Sequence, residues 1–117
     1  MSTRRVVTHL GDGAREVLDA AEIYHLEAVG DQTRVRLRRR RARLDVRPLG
    51  MVIERWSRLG FVRIHRSHAV NLAAIHLLRR RELGRDWEIK LEPPINQVLP
   101  VSREALGPLI AALEGEE

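Results

Sequence analysis

The chain has 117 residues, a length suited to one domain with a core of its own. Its 21 basic residues are arginines except for Lys90, and against 16 acids they leave a net charge of +5. No apolar run approaches the ~18 residues of a membrane span, Met1 to Arg5 lacks the apolar stretch of a signal peptide, and the lack of cysteine excludes disulfides and thiolate chemistry. A cytoplasmic protein is expected. The 44% hydrophobic content argues against a disordered chain.

In chain order, residues 1–20 read as a hairpin: Val6-Val7, a turn at Gly11-Asp12-Gly13, then Val17-Leu18. Glu22 to Val29 reads as a strand whose poor alternation fits burial on both faces, and Gly30-Asp31 ends it. Thr33, Val35 and Leu37 alternate with arginines, and so do Ala42, Leu44 and Val46. Period two predicts a two-stranded ribbon with those apolar residues inward, an arginine-coated outer face, and a turn at Arg39 to Arg41. After Pro48, the stripe Leu49, Val52, Ile53, Trp56 and Leu59 predicts a core-facing helix stopped by Gly60. Phe61 to Ile64 is a short strand, and the polar run His65 to Asn71 reads as a loop or a single helical turn. Leu72 to Leu78 fits a strand or a helix. Trp87 to Glu92 alternates as a strand broken by Pro93-Pro94, and Gln97 to Leu99 is a last strand ended by Pro100. Ser102 is a good N-cap for a helix carrying Leu106, Leu109, Ile110 and Leu113, which Pro108 should kink or delay. The result is mainly β with one middle and one C-terminal helix.

The charge is unevenly spread. Residues 34–47 hold eight arginines and one acid, net +7, and residues 61–81 hold five arginines and no acid, net +5. Residues 1–33 and 82–117 are acidic, net −3 and −5. A concentrated positive field recruits a polyanion in a way that net charge alone does not report. The lesser alternative is that these arginine-rich strand faces are simply solvated.

Chemistry concentrates in GFVRIHRSHAVN, Gly60 to Asn71, which packs Arg63, His65, Arg66, Ser67, His68 and Asn71 together. Arginine forks suit guanine, asparagine pairs with adenine, and serine and histidine donate to phosphates or base edges. A metal site is disfavoured: His65 and His68 are three apart, but His9, His25 and His76 are scattered and no cysteine pair or HExxH motif is present. An enzyme is disfavoured because no nucleophile elbow, carboxylate cluster or phosphate-cradling glycine loop is present. No cofactor is expected. A histidine beside Ile64 also admits a purely structural role. Two further candidate loops are Gly30 to Thr33, otherwise a plain turn, and Val101 to Arg103, where a helix start offers free N–H groups to phosphate.

Three strings then point to a family. Glu22 to Asp31 (EIYHLEAVGD), Gly60 to Ile75 (GFVRIHRSHAVNLAAI) and Leu99 to Arg103 (LPVSR) resemble, in order and spacing, the LytTR family, the DNA-binding output domain of LytR/AlgR-type bacterial response regulators. The resemblance covers about residues 5–114. It implies an elongated β–β–β arrangement of short antiparallel sheets with helices at the side. It also implies binding of double-stranded DNA by loops that enter successive major grooves, without enzyme activity. Carried over by position, the contact candidates are Gln32 and Thr33, then His65, Arg66 and His68, then Ser102 and Arg103. Arg36, Arg38, Arg43 and Arg63 are expected on phosphates. Gln32 stands where the family often has an aromatic, and Arg38 to Arg41 replace the usual small or acidic residues of that turn. No receiver domain is expected within residues 1–117, so the chain reads as a free-standing regulator or an excised domain of a two-component system. The partner expected is promoter DNA with repeated half-sites, bound by a monomer or weak dimer that pairs on the DNA. An RNA-binding or protein-interaction module is the alternative. It is weakened because RNA readers stack bases on exposed aromatics, and this chain has only Tyr24, Trp56, Phe61 and Trp87, mostly core candidates.

Overall fold

A computed structural model describes residues 4–115. Three antiparallel sheets carry the chain. Strands β1 (Arg5–His9) and β2 (Arg15–Asp19) form the predicted hairpin, in which Gly13 takes the left-handed φ of +90° that its turn requires. A five-stranded sheet contains β3 (Ile23–Val29), β4 (Gln32–Leu37), β5 (Arg43–Asp45), β6 (Phe61–His65) and β7 (His68–Asn71) in the order β5-β4-β3-β7-β6. A three-stranded sheet contains β8 (Ile75–Arg80), β9 (Trp87–Leu91) and β10 (Val98–Val101) in the order β10-β9-β8. Helix α1 (Leu49–Trp56) joins β5 to β6, and α2 (Arg103–Leu113) follows β10. The extents, 44 × 36 × 28 Å, are elongated, as the resemblance implies.

The middle sheet is covered on both faces, which explains the poor alternation of β3. On one side α1 inserts Leu49, Val52 and Trp56 among Val6, Leu18, Leu26, Val35, Leu37, Phe61 and Ala69. The apolar stripe read from the sequence is therefore a core stripe, and each fully buried large side chain contributes roughly 1.5–3 kcal/mol. On the other side Ile64 and Val70 pack with Ile89, Leu91, Leu99 and Val101 of the small sheet and Leu109 of α2. Gly60 ends the short turn after α1 at φ +88°, the predicted stop.

Four local expectations need correction. First, β5 is short and inverted in phase. Asp45 is fully buried, while Leu44 and Val46 are exposed. The carboxylate accepts from the backbone N–H groups of His9 and Arg47 and from the Arg47 guanidinium. A buried carboxylate supplied with that many donors is tolerated where a bare one is not. Pairing Thr33 with Asp45 then turns Leu44 outward. Second, His65 to Asn71 is neither loop nor helical turn. It is a hairpin, with Arg66-Ser67 as its turn and Ala69 and Val70 fully buried. Third, Leu72 to Ala74 form a 3-10 turn before β8, because the Asn71 side chain caps it by accepting from Ala73 N at 3.0 Å. Fourth, Pro100 lies within β10 rather than ending it. The strand is at a sheet edge, where a missing N–H is tolerated. Helix α2 starts at Arg103 on the Ser102 cap, so Pro108 does not delay it.

Candidate nucleic-acid interface

The β6–β7 turn is braced by several hydrogen bonds. Ile64, at a bulge in the β6–β7 ladder, is fully buried and anchors it. Arg63 Nε donates to the carbonyl of His65 at 3.2 Å, and Arg63 Nη2 donates to the carbonyl of Arg66. Ser67 N donates to His65 Nδ1 at 3.1 Å, and Ser67 O accepts from Ala28 N at 2.9 Å. The Arg66 side chain is exposed and forms no ion pair among the described residues.

The start of α2 is tied to the same strand. Ser102 N donates to the carbonyl of Ile64 at 2.8 Å, and Ser102 Oγ caps the helix by accepting from Ala105 N. Arg103 is exposed beside it. His65 borders two concavities. One runs between β6 and α2, past Val62, Arg63, Arg66, Ala105 and Pro108. The other is lined by Arg81, Arg85, Trp87, Pro100 and Arg103. The β3–β4 turn, where Gly30 has φ +59°, lies at the same end of the sheet, because β7 begins opposite Glu27 on β3.

The candidate residues thus fall into groups. His65, Arg66, Ser102 and Arg103 converge, and Gln32 lies half-buried at the neighbouring turn. Thr33 does not face this surface. It is fully buried, and its hydroxyl donates to the carbonyl of Arg47 at 2.9 Å. Asn71 is also interior, donating to the carbonyls of Ala20 and Ile23. His68 turns inward, with Nδ1 2.9 Å from Nε2 of the fully buried His25. Burial and the neighbouring His68 push His25 down to about 4, and burial and His65 lower His68. This inner pair is held neutral near pH 7.

The arginine ribbon is largely answered by carboxylates. Arg34 and Arg36 meet Glu27 at 3.2 and 3.1 Å, Arg38 meets Glu92 at 2.7 Å, Arg40 meets Glu22 at 3.0 Å, and Arg43 meets Glu16 at 2.6 Å. Burial pushes the Glu27 carboxyl up, but Arg36 and Arg34 outweigh it and hold it below its ordinary value. Sequence reading assigned these acids to separate segments, since only folding brings Glu16 of β2, Glu22 before β3, Glu27 within β3, and Glu92 after β9 to the ribbon. It also missed His25, Arg81 and Arg85, which no spacing singles out. Among the described residues, no group of three or more His, Asp or Glu side chains is placed to hold a metal ion.

The model of the LytTr DNA-binding domain family matches residues 14–114, most of the chain. The chain belongs to the LytTR family. Among solved structures, this LytTR domain is similar to a LytTr DNA-binding domain from a Bacillus cereus protein described as a methyl-accepting/DNA response regulator. The TM-score is 0.72 at 19% identity, covering 98% of this chain and 99% of that one. At that identity the likeness establishes the shared fold. A search of curated proteins returned no match. Family membership makes this a DNA-binding domain of transcription regulation. The strand β1 lies outside the family match, yet it completes the first core through Val6.

Proposed function

We propose that this LytTR domain recognises a specific duplex site through the β3–β4 turn, the β6–β7 turn and the start of α2, as a cytoplasmic bacterial transcription regulator. The observation that carries the reading is the bond from Ser102 N to Ile64 O, which fixes the two arginine-bearing segments to one strand. Arg66 and Arg103 both lie exposed beside it. Two arginine forks held on rigid elements suit guanine edges or phosphates. Gln32 and His65 complete the reading set, and Ser102 offers its helix start to a phosphate. Loops at one sheet end suit successive grooves, with repeated half-sites occupied by monomers or a weak dimer that pairs on the DNA. An output role in a two-component system fits this reading.

Selection from random duplexes, with single-stranded RNA as competitor, tests it. A recovered duplex consensus is expected, with at least one guanine or other acceptor-rich position. Binding that RNA competes away, or duplex binding without a consensus, would overturn the reading.

A further inference from the structure

We infer that Arg63 is a positioning residue that holds the β6–β7 turn in one shape, so that His65 presents its Nε2–H as a hydrogen-bond donor to an acceptor edge of the DNA. The inference rests on the proposed DNA-reading surface and deepens it.

Arg63 looks from the sequence like one more positive charge for phosphate. Its guanidinium is already engaged. Nε and Nη2 of the same fork hold the carbonyls of His65 and Arg66, two consecutive residues across the corner. Nη1 lies on the first turn of α1, 3.6 Å from where a side chain at Gly50 would begin. The group therefore ties β6 to the turn and lies near the first turn of α1. No carboxylate pairs with it among the described residues, so its charge is spent on carbonyl dipoles. Lysine carries the same charge but cannot reproduce a planar fork on two carbonyls.

The tautomer of His65 follows from the next bond in the turn. The amide of Ser67 can only donate, and its hydrogen points at His65 Nδ1. Nδ1 must therefore be an unprotonated acceptor, and the neutral ring carries its proton on Nε2. The imidazolium would set an Nδ1 proton against the amide proton of Ser67. Nε2–H is then the only polar group the ring can offer, on a side chain between the two concavities flanked by Arg66 and Arg103. A donor of this kind fits guanine O6 or N7, adenine N7 or thymine O4, and is mismatched to the amino groups of cytosine and adenine.

Two variants separate this from a phosphate contact and from a purely structural role. Arg63→Lys keeps the charge and loses the brace. It is expected to bind the selected site about tenfold more weakly with an unchanged salt slope, since hydrogen bonds to a charged group are worth about that factor. Wild-type affinity for this variant would overturn the brace. His65→Asn keeps an acceptor for Ser67 N and loses the Nε2 donor. It is expected to keep the fold and lose selectivity at one base position; unchanged selectivity would overturn the donor role. A two-bond proton–nitrogen spectrum of the free wild-type protein at pH 7.5 reads the tautomer independently of DNA and of variant folding. Protonated Nε2 with bare Nδ1 supports the inference, and the opposite tautomer or an imidazolium contradicts it. If the wild type selects no duplex, the proposed function fails while this spectrum still judges the turn.

Discussion

His25 has no solvent exposure, and its Nε2 lies 2.9 Å from Nδ1 of His68, with Glu27 and Arg36 as the nearest charges felt. Its folded value of about 4, against an ordinary 6.5, means that the unfolded chain binds the proton more readily between those limits. Stability should therefore be full above about pH 6.5 and fall as pH drops towards about 4, by on the order of 3 kcal/mol from this residue. Urea unfolding at pH 7.5 and 5 measures the decline, and His25→Gln should flatten it. A stability that rises on acidification would contradict the assignment. At this scale the sequence was only partly legible. It singled out Gly60 to Asn71 as the string where candidate side chains concentrate. It did not divide the labour within that string, because His68 and Asn71 turn inward through partners about 43 and 50 positions away, His25, Ala20 and Ile23.

The elements were more legible where periodicity and stop signals agreed. Helix α1 follows from one stripe and Gly60, and β4 from strict alternation against arginine. Reading failed where one side chain overrides the pattern. Asp45 inverts β5 because its carboxylate gathers donors from β1 and Arg47, and Asn71 makes a turn before β8 where apolar residues suggested continuous structure. At α2, Ser102 caps the helix and also belongs to the proposed interface. Ser102→Ala should lower stability by about 1 kcal/mol through loss of the cap. Ser102→Asp should restore that stability, since an acid at a helix start caps well and suits the dipole. It should nevertheless weaken DNA binding by placing negative charge beside Arg103. Chemical denaturation and duplex titration on the same pair of variants check both; equal DNA affinity for the serine and aspartate proteins would remove Ser102 from the interface.

Over the whole molecule, the charge blocks of the sequence are rearranged by folding. The densest block, residues 34–47, meets Glu16, Glu22, Glu27 and Glu92 in space, so its field is partly cancelled where it looked strongest. Arg66 and Arg103 are among the positive charges that have no carboxylate partner among the described residues. Composition reported the excess, and only the register showed which part of it is free to act. Replacing Arg36, Arg38 and Arg43 together by alanine should change the slope of log affinity against log salt by less than the ~0.9 that one lost phosphate contact produces. A slope flattened by two or three contacts would return the ribbon to the DNA.

The central claim is that recognition resides in two arginines fixed to one strand. Anisotropy titration of wild type, Arg66→Ala and Arg103→Ala against the selected duplex and a scrambled one of equal length tests it directly. Each variant should lose about 1–3 kcal/mol on the selected duplex and much less on the scrambled one. Binding by both variants that matches wild type on the selected duplex would contradict the account.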